Sequence, residues 1–174
     1  VTASDRNEVM LSATGVWTIV LFDNGLNDAG AYLLSFLNVS AGAFTSGTDT
    51  GGGAITSNDI RNSTTDSPGD FDGYQFLGSK GDRVVITAAA TAGVGYNTNI
   101  YLFPPSGTSA TNSSSNDRLD FQLNATGAWT IVIESVGNVT TGSYNLCFLN
   151  ATGGPLSSGG SDGGIIETGV ALNG

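Results

Sequence analysis

Histidine is absent from all 174 residues. With it go the side chain that most often moves protons near neutral pH, Ser-His-Asp and Cys-His catalysis, and every histidine-ligated metal site. Cationic charge is scarce: Lys80 and four arginines stand against 15 carboxylates, for a net charge of −10. No basic patch able to neutralise a run of phosphates can be assembled, which excludes nucleic acid as a partner. The one cysteine, Cys147, has no partner for a disulfide within the chain; lying in the apolar run 144–149, it is expected as a small buried side chain. No stretch approaches the roughly 20 apolar residues of a membrane span, so none is expected. Nor does a charged n-region with an apolar h-region open the chain, and an exported protein would then be the mature form or an internal fragment. Charged residues make up only 11% of the chain, against a usual share of about 25%. Gly, Ser, Thr and Asn fill their place, a composition of exported β-proteins. The length leaves room for one domain, or for one and a half of about a hundred residues each.

What is present is a repeat. Leu11-Ser-Ala-Thr-Gly-Val-Trp-Thr-Ile-Val-Leu21 recurs as Leu123-Asn-Ala-Thr-Gly-Ala-Trp-Thr-Ile-Val-Ile133, an offset (11 to 123) of 112 residues. At that offset Tyr32, Leu34, Phe36, Leu37 and Asn38 fall on Tyr144, Leu146, Phe148, Leu149 and Asn150, and Asp5-Arg6 falls on Asp117-Arg118. Segments 47–55 and 159–166 are both glycine-rich linkers that run into an apolar pair.

In the second copy the apolar residues alternate, as in strands with one buried face. Tyr74 and Phe76, Val84 and Ile86, Ile100 and Leu102, Leu119 to Leu123, Trp129 to Ile133, and Tyr144 to Phe148 mark the strands. Turn-forming clusters such as Ser67-Pro-Gly-Asp and Pro104-Pro-Ser-Gly separate them. The reading is an all-β, antiparallel β-sandwich, jelly-roll-like, with one complete and one partial repeat. Residues 1–44 are expected as the C-terminal part of a first sandwich, 45–156 as linker and complete sandwich, and 157–174 as a Gly-rich linker with an orphan strand. A single larger sandwich across the whole chain is the competing topology.

Five motifs carry a family resemblance: Gly69-Asp-Phe-Asp-Gly-Tyr-Gln-Phe76, Gly81-Asp-Arg-Val-Val-Ile86, Asn99-Ile-Tyr-Leu-Phe-Pro-Pro-Ser-Gly107, Thr126-Gly-Ala-Trp-Thr-Ile-Val132 and Gly142-Ser-Tyr-Asn-Leu146. In this order and spacing, residues 53–149 resemble the bacterial pre-peptidase C-terminal domain family, and 1–44 the final third of the same domain. The resemblance implies a small jelly-roll-like sandwich without catalytic residues, with roles in secretion, polymer binding or cell-surface architecture. Some relatives bind calcium through acidic residues at the start of the strand that begins here at Asp72.

Taken physically, Asp66, Asp70 and Asp72 lie on a loop that enters a strand, and closely spaced hard oxygen ligands suit calcium. Asp70 and Asp72 are the candidate ligands, with turn capping as their competing role. Beyond calcium at these acids, no cofactor is expected. A carboxylate pair for glycoside cleavage would have to come from these same acids, and no enzyme is expected. Asn-x-Ser/Thr triplets at Asn38, Asn62, Asn112, Asn124, Asn138 and Asn150 are candidate glycosylation sites, all expected in loops or at strand ends.

Three strands cannot cover the face that bears Trp17, Ile19, Tyr32, Leu34 and Phe36. At the other end Ile165, Ile166, Val170 and Leu172 form a strand-like tail just where a new repeat should begin. A tail that joins the open sandwich of a neighbour adds a strand head to tail, and such contacts repeat into a fibre. The expected function is thus that of a non-catalytic extracellular or cell-surface structural protein, self-associating into a filament or sheath. The alternatives are a half-copy packed on the complete copy in a monomer, and a polysaccharide- or protein-binding module of a secreted protease or adhesin, using Tyr96, Tyr101 or Phe103.

Overall fold

The computed structural model describes residues 6–23, 25–42, 44–45, 49–107 and 109–154. Nine strands form among them: β1 (Gly53–Ala54), β2 (Asp59–Thr65), β3 (Asp72–Gly78), β4 (Arg83–Ala92), β5 (Thr98–Phe103), β6 (Asn112–Ser114), β7 (Arg118–Gln122), β8 (Gly127–Ser135) and β9 (Gly142–Asn150). They build two sheets, in the orders β1-β3-β8-β5-β6 and β2-β9-β4-β7. Every pairing is antiparallel except β1 with β3. Successive strands from β2 to β5, and again from β7 to β9, alternate between the sheets, so each crossing closes the sandwich over its core.

All six strands marked by alternation are present, and their apolar residues fill the interior: Tyr74, Ile86, Ile100, Leu102, Trp129, Ile131, Ile133, Tyr144 and Leu146 are fully buried. The sequence pattern missed β2 because its inward residues are polar, the buried Ser63 and Thr65. Cys147 departs from expectation as well. With Tyr144, Leu146 and Phe148 pointing inward, the two-residue period turns Cys147 to the outer face, where it is half-buried.

The largest difference lies at the start of the chain. Three strands are expected in 1–44, yet the described residues 6–23, 25–42 and 44 contain no strand. Trp17, Ile19, Tyr32, Leu34 and Phe36 are exposed, Tyr32 by 72%. The physical reason is that their equivalents in β8 and β9 are each flanked on both sides, by β3 and β5 and by β2 and β4, and among the described residues the first copy has no such neighbours. Its ends nevertheless touch the sandwich. The Thr130 hydroxyl donates to the Val39 carbonyl at 2.7 Å, and Leu37 and Phe44 lie against Gly73. β8 is consequently buried on both faces: Trp129, Ile131 and Ile133 inside, Thr130, Val132 and Glu134 outside. The tail with Ile165, Ile166, Val170 and Leu172 lies outside the described residues.

Candidate cation site

Asp72 opens β3 with the same parity as Tyr74 and Phe76, so its carboxylate points inward at the rim of the core. There the Tyr144 hydroxyl donates to Asp72 Oδ2. With that proton committed, Tyr74 donates to the Tyr144 hydroxyl at 2.9 Å. Asp72 Oδ1 is buried and has no hydrogen-bond partner among the described residues. It faces Gly51, where a Cβ would overlap it, so the backbone approach depends on glycine. Burial pushes the Asp72 carboxyl up to about 8, against the lowering effect of the Tyr144 hydrogen bond, and the neighbouring carboxylates of Asp70 and Asp49 add to the rise. Burial beside Asp72 likewise raises Tyr144 well above the usual phenol range.

In front of Asp72, single carboxylate oxygens of Asp49, Asp66 and Asp70 all lie within 4.8 Å of one another. The turn Ser67–Asp70 shapes this loop: the Asp70 amide donates to the Ser67 carbonyl at 3.1 Å, and the Asp66 amide donates to Asp70 Oδ2 at 2.7 Å. On the other side the Gly51 amide donates to Asp49 Oδ1 at 2.9 Å. Burial raises the Asp70 carboxyl. Among the described residues no ion pair neutralises these acids; the arginines pair with Glu8, Glu134, Asp59 and Asp120. Three carboxylates this close together, with none of them in an ion pair among the described residues, offer the kind of oxygen donors that a hard divalent cation takes. Asp49, Asp66 and Asp70 would hold it, with Asp72 behind them. A cleft of about 300 Å³ adjoins the cluster, lined by Phe36, Leu37, Phe44, Asp49, Asp70 and Phe71.

The sequence pointed to Asp70 and Asp72. The structure sets Asp70 in the cluster and turns Asp72 toward Tyr144, and it adds Asp49, which the glycine-rich stretch around it had marked as linker. The six candidate glycosylation sites divide. Asn38, Asn62 and Asn124 are exposed and Asn112 is half-buried, with Asn62 in the middle of edge strand β2 rather than in a loop. Asn138 and Asn150 are each only 7% exposed. The Asn150 amide donates to Asp82 Oδ2 at 2.9 Å, a bond that a glycan there would have to displace. The rings proposed for polymer binding are covered: Tyr96 joins the core, Phe103 is buried, and Tyr101 lies beneath Arg6.

No family model and no curated protein matches this chain. Among solved structures it is similar to the periplasmic inhibitor of g-type lysozyme PliG from Aeromonas hydrophila, at 13% identity and a TM-score of 0.45, over 57% of this chain and 97% of that one. It is similar also to the pre-peptidase C-terminal domain of a collagenase from Bacillus anthracis, at 17% identity and a TM-score of 0.44, over 59% and 99%. A third is the Yersinia pseudotuberculosis-derived mitogen, at 14% identity and a TM-score of 0.41, over 56% and 89%. Scores this low leave the function of the chain to be argued from its own residues. No helix among the described residues is long and apolar enough to cross a membrane.

Proposed function

We propose that the protein is a non-catalytic extracellular structural subunit that joins further copies of itself head to tail by strand addition. One observation carries this reading: the motif at 123–133, which runs into core strand β8 and buries Leu123 and every residue from Trp129 to Ile133, stands exposed and outside any sheet at 11–21. Soluble proteins rarely leave so large an apolar surface uncovered, and a sequence that already makes a strand once is fitted to make it again when neighbours are supplied. The 157–174 tail, with Ile165, Ile166, Val170 and Leu172, is the proposed donor. The reading takes the complete sandwich as a domain of the pre-peptidase C-terminal type, on its five ordered motifs, with calcium on the acid cluster as a structural ion.

Electron microscopy of the purified chain is the test. Fibres of regular spacing are expected, and Ile19→Asp, or deletion of residues 163–174, should leave single particles with unchanged β-sheet circular dichroism. A wild-type chain that stays as single particles at every concentration would refute the proposal. Calcium should raise the melting temperature of the chain, and Asp70→Asn should remove that gain.

A further inference from the structure

Arg6 is held in a way that no other described cation is. Arg61, Arg83 and Arg118 pair with Asp59 and Asp120, which are partly exposed. Arg6 instead reaches Glu134, whose side chain is only 3% exposed, with Nη1 at 2.9 Å from Oε2. Its guanidinium lies over the Tyr101 ring at 3.8 Å, with the Phe71 and Phe103 rings at 5.8 and 5.9 Å. All three distances are within the roughly 6 Å range of cation–π attraction. The outer faces of β5 and β8 set the walls by register: Tyr101 pairs with Val132, Asn99 with Glu134, and Phe103 with Thr130. Asn99 Nδ2 donates to the Tyr101 hydroxyl at 2.7 Å and steadies the ring. Burial and the Glu134 charge raise the Tyr101 phenol, while Arg6 opposes them.

The receptor and its ligand belong to different parts of the molecule. Phe71, Tyr101, Phe103 and Glu134 belong to the complete sandwich, whereas Arg6 stands at the head of the uncovered segment, three residues before the exposed Val9. A buried carboxylate left without its cation is strongly disfavoured, so the site requires an occupant wherever that segment goes. An arm that joins a neighbour takes its arginine with it, and another arm of the same sequence brings the same side chain back.

We propose that Phe71, Tyr101, Phe103 and Glu134 form a guanidinium-binding cage that takes Arg6 of its own chain in the single molecule and Arg6 of a second copy in the assembly. The second half of this inference rests on the strand-addition reading; the first half does not. The planar guanidinium matches both the flat ring beneath it and the carboxylate at its edge, which a lysine ammonium does not.

Calorimetric titration with acetyl-arginine amide tests the cage. Arg6→Gln should bind the probe saturably in the millimolar range, at least tenfold tighter than the wild type, whose cage is filled. Adding Glu134→Gln to Arg6→Gln should abolish binding, and acetyl-lysine amide should bind more weakly than the arginine probe. Equal binding by wild type and Arg6→Gln, or no binding by a folded Arg6→Gln, overturns the cage. Should Arg6→Gln not fold, Arg6→Lys takes its place: its ammonium fits the rings less well, so the arginine probe should displace it and bind more tightly than to the wild type, and binding equal to the wild type overturns the cage. Sedimentation of Arg6→Glu and Glu134→Arg chains tests the exchange: each alone should remain single, and their equimolar mixture should associate. A mixture that stays single while the wild type polymerises overturns the second-copy half. A wild type that never polymerises overturns strand addition and that half together, while the titration still decides the cage.

Discussion

Segments 11–21 and 123–133 differ at three positions of eleven, Ser12 for Asn124, Val16 for Ala128 and Leu21 for Ile133, and end in opposite surroundings. Their local geometry agrees. The Trp17 indole donates to the Ala13 carbonyl at 3.2 Å and the Trp129 indole to the Ala125 carbonyl at 3.2 Å. Gly15 and Gly127 take positive φ values of 154° and 146°. Asn38 Oδ1 accepts the amides of Ser40 and Ala41, as Asn150 Oδ1 accepts those of Thr152 and Gly153. Yet Trp129 is fully buried while Trp17 is 49% exposed. Turn, indole tether and Asx hydrogen bonds thus arise from a few neighbouring residues, whereas the strand itself depends on partners at its edges. The pair separates what sequence specifies locally from what only a neighbouring chain segment can supply.

The largest break in the comparison should come from the tryptophans. Trp129→Ala opens a cavity in the middle of the core and should cost about 3–5 kcal/mol in denaturant melts. Trp17→Ala should move the same midpoint by less than about 0.5 kcal/mol, while weakening assembly. Equal costs would mean that the first copy is already packed in the single molecule.

How far the fold was legible follows the same division. Alternation revealed β3, β4, β5, β7, β8 and β9, because each puts apolar residues on one face. It could not reveal β2, whose buried positions are Ser63 and Thr65, nor the two-residue β1, which pairs in parallel with β3 through Gly53 and Ala54. It marked strands in the first copy from a pattern that the structure leaves without ladders, because a period shows which face would be buried and carries no information on what lies beside it. At the candidate cation site the loop acids 66, 70 and 72 were readable as neighbours in sequence. Asp49 was not, since only the pairing of β1 with β3 brings the glycine-rich stretch alongside them. The Arg6 cage escaped for the same reason, its parts being spread from residue 6 to residue 134.

A smaller contrast separates the tyrosines. Tyr144 links Asp72 to Tyr74 in the core, while its counterpart Tyr32 is exposed by 72%. Tyr144→Phe strands a buried carboxylate oxygen and leaves the Tyr74 hydroxyl without its acceptor, which should cost about 1–3 kcal/mol. Tyr32→Phe should stay within about 0.5 kcal/mol of the wild type by the same melts. A matching loss at Tyr32 would show that the first copy holds its own polar anchor.

The finest contrast is between the equivalent asparagines. Asn150 closes the end of β9 from the inside: its amide reaches Asp82, its carbonyl oxygen accepts two turn amides, and its backbone amide donates to the Ser57 hydroxyl. Asn38 makes the turn bonds alone and is exposed. Asn150→Ala should therefore cost about 1–2 kcal/mol and Asn38→Ala no more than about 0.5 kcal/mol. The same difference governs modification, because a glycan can project from Asn38 without touching the core, whereas at Asn150 it would have to displace the bond to Asp82. Peptide mapping of the native protein should place sugar mass on Asn38 and none on Asn150. Sugar on Asn150 with the sandwich intact would mean that the amide swings free of Asp82 and that the two copies are more alike at this turn than their burial implies.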